Sequence, residues 1–130
     1  MSNNVFSGND GLSEFLNPCN HVTPLVELPL SLNPYLSDNV HIYIKMQNFL
    51  PLMNIKSLAS YNMLAQAEIN KDKTSLIESS SGNTALSVTI LGRNKGAKKT
   101  RAIISSEVGI GKLQQLLLAG TEIQVNKEPI

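Results

Sequence analysis

Leu76-Ile77-Glu78-Ser79-Ser80-Ser81-Gly82-Asn83-Thr84-Ala85-Leu86 holds the residues best suited to chemistry in this 130-residue chain. Apolar strand residues give way to serines, a glycine, an asparagine and a threonine, and then to residues that open a helix. Such a turn can cradle an anion. Backbone N–H groups at a helix start lack partners, and the aligned peptide dipoles favour negative charge there. Glycine lets a ligand approach the backbone, while hydroxyl and amide side chains add donors. The same residues also suit a plain helix N-cap, since Ser and Asn cap helices whether or not anything binds. The local sequence leaves both readings standing.

The other reactive residues carry less. Lys95, Lys98, Lys99 and Arg101 cluster without aromatic interleaving in a chain of net charge +1, which points to a solvated loop and not to a nucleic-acid surface. His21 and His41 lack carboxylates at ligand spacing, so no metal site is expected. Cys19 is the one cysteine; it excludes a disulfide frame or Cys-rich zinc site within the chain and reads as a free thiol in a reducing compartment. Gly109-Ile110-Gly111 is a piece of a dinucleotide fingerprint without its third glycine or downstream acid.

The elements that must position the turn follow from periodicity. At 14.1 kDa, 42% hydrophobic and 16% charged, the chain suits one soluble globular domain with a modest core. The start of the chain has neither a basic n-region nor an apolar h-region, and no apolar run approaches the ~20 residues of a membrane helix. A cytoplasmic protein is expected. Residues 1–20 read as a polar arm with an amphipathic hint at Leu12, Phe15 and Leu16. Residues 23–29 are a short apolar segment fenced by prolines, suited to an edge or docking strand. Residues 40–46 alternate as a strand, and Ile55, Leu58, Ala59, Met63 and Ala67 place a helix over 55–70. A strand is expected over 74–78, a helix over 84–94 stopped at Gly96, and a strand over 101–105. A helix over 112–119 closed by Gly120 and a last strand over 121–125 complete the pattern.

This alternation predicts an α/β fold: a three-layer sandwich, its sheet mostly parallel, with right-handed βαβ crossovers and helices on both faces. Ligands of such sheets sit beyond the carboxyl ends of the strands, where the Ser/Gly/Asn turn falls. That placement favours the anion over the cap. A chain ending on a strand, with no second lobe to close a cleft, is expected to be a fragment or truncated product.

Several segments, in order, resemble the fold type II pyridoxal-phosphate enzymes of the tryptophan synthase β and cysteine synthase superfamily. Thr23-Pro24-Leu25-Val26-Glu27-Leu28 is similar to the family's T-P-L-v-x-L, and His41-Ile42-Tyr43-Ile44-Lys45 to the strand before its lysine loop. That loop, N-P-T-G-S-x-K-D-R in the family, would be Phe49 to Leu58 here. Ser80-Ser81-Gly82-Asn83-Thr84-Ala85 resembles T-S-G-N-T-G, and Gly109 to Val125 resembles K-x-x-x-L-x-x-x-G-A-E-V. The resemblance runs from about residue 21 to 126, and a lysine 27 positions before the asparagine makes it specific. The loop departs from the common G-S-x-K-D-R: it reads Met53-Asn54-Ile55-Lys56-Ser57-Leu58, without the glycine, aspartate or arginine. This marks a divergent branch.

The resemblance implies roles. Lys56 would hold pyridoxal phosphate covalently and act as the proton-transferring base, a lysine amine being a nucleophile toward carbonyl carbon. Asn83 would hydrogen-bond the cofactor's phenolic oxygen. Ser80, Ser81, Gly82 and Thr84 would clamp the substrate's carboxylate. Residues 21–130 would form the small N-terminal lobe behind a 1–20 arm, cut before the large domain that carries the family's phosphate cup, so that the chain alone should bind cofactor poorly and be inactive. The activity implied is that of a cysteine synthase-like lyase or transferase of amino-acid metabolism, working by β-elimination or β-replacement. A small amino-acid substrate and a possible homodimer are the implied partners, with neither nucleic acid nor membrane. The alternative is a non-catalytic α/β interaction or regulatory module derived from such an enzyme.

Overall fold

The computed structural model describes residues 4–80 and 82–127. The chain alternates strands and helices as the periodicity predicts. Helix α1 (Gly11–Leu16) precedes β1 (Leu25–Glu27) and β2 (Tyr43–Lys45), and α2 (Lys56–Gln66) leads into β3 (Ser75–Ser79). Then come α3 (Asn83–Asn94), β4 (Lys99–Ser105), α4 (Ile110–Leu118) and β5 (Glu122–Asn126). Four single-turn 3-10 helices fill the connections before α2. Among the described residues no helix is long and apolar enough to cross a membrane.

Strands β3, β4 and β5 form a parallel sheet in that order. Each pair is joined by one helix, which gives two consecutive βαβ units. Residue 102 of β4 faces residues 78 and 123 of its neighbours, so Ala102 and Ile104 share one sheet face. There they pack with Ala85 of α3 and Leu116 of α4 into a cluster no more than 2% exposed. Both helices therefore cover the same face. The sequence led us to expect helices on both faces; two crossovers of one hand joining strands in unreversed order put both on one side. The third layer is α2, which packs on α3, with Leu64 against Leu91 and α1's Leu16.

The strand expected over 40–46 is real but shorter, and it is not in the parallel sheet. It pairs antiparallel with β1 as a separate two-stranded sheet, Val26 opposite Ile44. Alternation specifies a strand and not its partner. Residues 23–29, expected as an edge or docking strand, supply that partner.

Two helix ends obey their glycines. Gly120 takes φ +78° after α4, with the Gly120 and Thr121 amides donating to Leu117 and Leu116 carbonyls, and Gly96 takes φ +97° after α3. The expected loop of cations is instead tied into the structure. Lys95 Nζ donates to the Leu64 carbonyl at the end of α2. Lys99 and Arg101 of β4 both meet Glu122 of β5 at 3.0 Å.

Hydrogen bonds from Lys99 and Arg101, with the attraction of their charges, hold the Glu122 carboxyl below its ordinary value. A carboxyl lowered in the folded state binds protons more readily when unfolded. Its stabilising contribution is therefore complete above the unfolded value and is lost as pH falls through the folded one. In Glu122→Gln, the decline in chemical-denaturation midpoint below about pH 4.5 should be shallower than in the parent. The difference should shrink in high salt, because the pair is exposed.

Candidate active site

Lys56 is the first residue of α2 and is exposed. Asn83 is the first residue of α3, also exposed, and Gly82 takes the N-cap position before it. Ser80 and Thr84 are half-buried on either side. Ser81, expected to contact a carboxylate, lies outside the described residues.

Among the described residues no plain side-chain cap, the competing reading of the turn, is made. Gly82 has no side chain, and no side-chain cap bond closes the start of α3. Ser80 Oγ accepts instead from the Gly82 amide at 3.3 Å, a local turn bond. The first amides of α3 face outward beyond the end of β3 with the positive end of the helix dipole behind them. Gly82 has an ordinary negative φ of −130°, so its backbone does not demand glycine. The lack of a Cβ keeps the space above the helix start open, and the atom nearest that space is Lys112 Nζ, 3.9 Å from where a Cβ would stand. Lys112, in the first turn of α4, thus brings a cation to the turn; it aligns with the lysine of the K-x-x-x-L-x-x-x-G-A-E-V resemblance, which implied no role for it, and the parallel β3–β4 pairing places α4's start there.

The loop before Lys56 is held to α3 from within. Ser87 Oγ donates to Asn54 Oδ1 at 3.3 Å, and both side chains are buried. Ser87 lies one helical turn after Asn83, on the same stripe of α3. At the far ends of the same helices, Leu64 packs with Leu91. Asn54 beside Ser87 and Leu64 beside Leu91 set α2 and α3 running the same way. The start of α2, with Lys56, and the start of α3, with Asn83, therefore lie at one end of the molecule. That end is the carboxyl end of the parallel strands, where α4 also begins. Three helix N-termini and the cations Lys56 and Lys112 make it suited to an anionic ligand.

The backbone of this loop is unusual. Leu52 (φ 65°) and Met53 (φ 54°) are successive non-glycine residues in the left-handed region. Asn54 Nδ2 donates to the Leu52 carbonyl at 2.6 Å and braces the turn. A left-handed conformation costs an ordinary residue about 1–2 kcal/mol, and Met53 is 78% exposed, with little packing to lose. Met53→Gly should therefore stabilise the fold by up to about 1 kcal/mol, the conformational relief exceeding glycine's extra chain entropy. A rise in the urea midpoint with unchanged slope would register it; an unchanged or lower midpoint would refute the strain.

Of the remaining sequence candidates, only Gly109 belongs to this end. His21 stacks on Phe6 at a centroid distance of 5.5 Å and bonds the Phe15 carbonyl. His41 pairs with Glu27 across β1 and β2. Cys19 is exposed. Among the described residues no group of three or more His, Cys, Asp or Glu could hold a metal ion. Gly109 is the N-cap residue of α4.

A parallel βαβ sheet with a lysine-headed helix and a Ser/Gly/Asn turn at its carboxyl end is an α/β architecture of the class that takes ligands beyond the ends of its strands. Residues 16–128 match the family model described as pyridoxal-phosphate dependent enzyme, and the chain belongs to that family, whose cofactor is pyridoxal phosphate. The fold is similar to cysteine synthase from Entamoeba histolytica, with a TM-score of 0.76 and 23% identity over 95% of this chain. It is similar also to a hydrogen sulfide-producing enzyme from Fusobacterium nucleatum, with a TM-score of 0.73 and 23% identity over 85% of this chain. An O-acetylserine dependent cystathionine beta-synthase from Helicobacter pylori gives 0.70 and 18% over 86%. The chain spans only 36%, 36% and 37% of those three structures respectively. No curated protein sequence matches it significantly.

Proposed function

We propose that this chain carries the lysine and the carboxylate clamp of a cysteine synthase-like enzyme that performs β-elimination or β-replacement on a small amino acid. The observation that carries the reading is the shared placement of Lys56 and Asn83, fixed by the Asn54–Ser87 bond, at the carboxyl end of the sheet. The donor set fits the aldehyde end of pyridoxal phosphate: one amine to take the carbonyl carbon and one carboxamide to hold the neighbouring ring oxygen. Bound there, the cofactor supplies an electron sink for a carbanion at the substrate's α-carbon. Lys56 would hold the cofactor, and its Nζ would carry the α-proton of the substrate. Asn83 fixes the ring through its side-chain amide. Ser80, Ser81, Gly82 and Thr84 would supply the hydroxyl and backbone donors for the substrate carboxylate, reinforced by the start of α3. The working protein would be a cytoplasmic lyase or transferase, a homodimer among its possible states.

A second reading, a non-catalytic module derived from such an enzyme, is favoured by the Met53–Leu58 stretch, which lacks the family's glycine, aspartate and arginine. One experiment separates the two. The chain is incubated with limiting pyridoxal phosphate, reduced with borohydride and mapped by mass spectrometry. The enzyme reading expects the cofactor on Lys56 in preference to the other lysines. Labelling spread evenly over the lysines would sink it.

A further inference from the structure

Three buried side chains near Lys56 are polar without being part of the clamp: Asn54 is 6% exposed, and Ser57 and Ser87 are wholly buried. A buried carboxamide is costly unless its donors and acceptor are satisfied, and Asn54 is bound on several sides. Its Nδ2 donates to the Leu52 carbonyl at 2.6 Å, and its Oδ1 accepts from Ser87 Oγ at 3.3 Å. Its backbone carbonyl accepts from the Ser57 hydroxyl at 2.8 Å and from the Ser57 amide at 3.3 Å. One residue therefore holds the left-handed turn before Lys56, the first turn of α2 and the body of α3. No side-chain cap closes the start of α2 to do the same work.

We propose that Asn54 and Ser87 form a positioning latch for the Lys56 amine. This rests on the reading of Lys56 given above and adds to it the residues that aim it. A lysine stem is flexible, with four carbons between backbone and nitrogen, so its reach is set by where its Cα is fixed. Lys56 lies two residues after Asn54, and Asn83 lies one helical turn before Ser87. The Ser87–Asn54 bond thus sets the separation of the two groups that must meet one cofactor from opposite sides. Reactions of held partners respond steeply to placement, a shift of about 1 Å costing up to ~10²-fold. Neither residue touches the ligand in this scheme. Both act through Lys56.

The test compares the parent chain with Ser87→Ala, Asn54→Ala and the double variant. Each is labelled with limiting pyridoxal phosphate and borohydride, and label on Lys56 is expressed relative to Lys71, Lys98 and Lys127. Hydrogen exchange of the β4 amides is followed in parallel as a measure of the fold. The latch predicts that the Lys56 share falls about tenfold or more in each single variant while β4 protection is retained. The double variant should fall no further than Asn54→Ala, because the bond that Ser87→Ala breaks is already lost there. Should Asn54→Ala fail to fold, Ser87→Ala still decides, since it removes one hydroxyl and leaves a good helix former. A Lys56 share unchanged in folded Ser87→Ala overturns the latch and leaves the Lys56 reading intact. Loss of β4 protection together with the label makes the bond structural, which also overturns it. A parent chain with no preference for Lys56 defeats the underlying reading, and the latch with it.

Discussion

Replacing Lys56 by alanine should abolish site-selective capture of pyridoxal phosphate while leaving the fold unchanged. The side chain is exposed in the first turn of α2, and among the described residues it makes no hydrogen bond or ion pair. Surface substitutions of this kind usually shift stability by no more than about 0.5 kcal/mol, and alanine suits a helix start. Any loss would thus be chemical. Borohydride-fixed label at position 56 disappears by construction. The informative quantity is the visible absorbance band of bound cofactor, expected to fall to the level of free pyridoxal phosphate. In a protein that turns over an amino acid, the rate should fall by about 10²–10⁴-fold, the range lost with a positioned proton-transfer group. A Lys56→Ala chain that retains the parent's band would place the cofactor elsewhere.

Leu116→Ala should have the largest effect on stability. Leu116 is 1% exposed and inserts from α4 among Ala85, Ala102 and Ile104. Two of those neighbours are alanines whose short side chains cannot close the space left behind. Burial of a leucine is worth about 2–3 kcal/mol in transfer alone, and the residual cavity raises the cost to roughly 3–5 kcal/mol. Against a total of about 5–15 kcal/mol for a domain, this is a large fraction. The thermal midpoint should fall by roughly 10 °C or more. Leu118→Ala, two residues along the same helix but 89% exposed, should change it by little. Equal losses at the two positions would contradict the packing of α4 on the sheet.

That pair of leucines shows where sequence reasoning stops. Leu116-Leu117-Leu118 is one apolar run, and the pattern places it on a helix without saying which member faces the sheet. The parallel pairing of β4 with β5 fixes the orientation of α4 and selects Leu116. The two-stranded β1–β2 sheet has the same origin. Its strands are legible in alternation and proline spacing, but their antiparallel partnership depends on contacts between residues 16 to 20 positions apart. Lys95, Lys99 and Arg101 are solvent-exposed as expected, but their partners, Leu64 and Glu122, were not legible because they are distant in sequence.

By itself the sequence determined the α/β class, the order and approximate limits of the helices and parallel strands, and the glycines that end α3 and α4. It also singled out the Ser/Gly/Asn turn and the lysine upstream as candidates, and it carried the family resemblance that the match over residues 16–128 supports. These are local or short-range properties, written in periodicity, turn chemistry and motif. Only the tertiary structure decided that both sheet-covering helices share one face, that Lys112 lies over Gly82, and that Asn54 reaches Ser87. The physical reason is burial. A buried polar group needs a partner, and when that partner lies 33 residues away only the folded chain reveals it. The Ser/Gly/Asn turn shows the same dependence: its sequence suits a cap or a cradle, and only the fold puts Lys56 and Asn83 at the same end of the sheet.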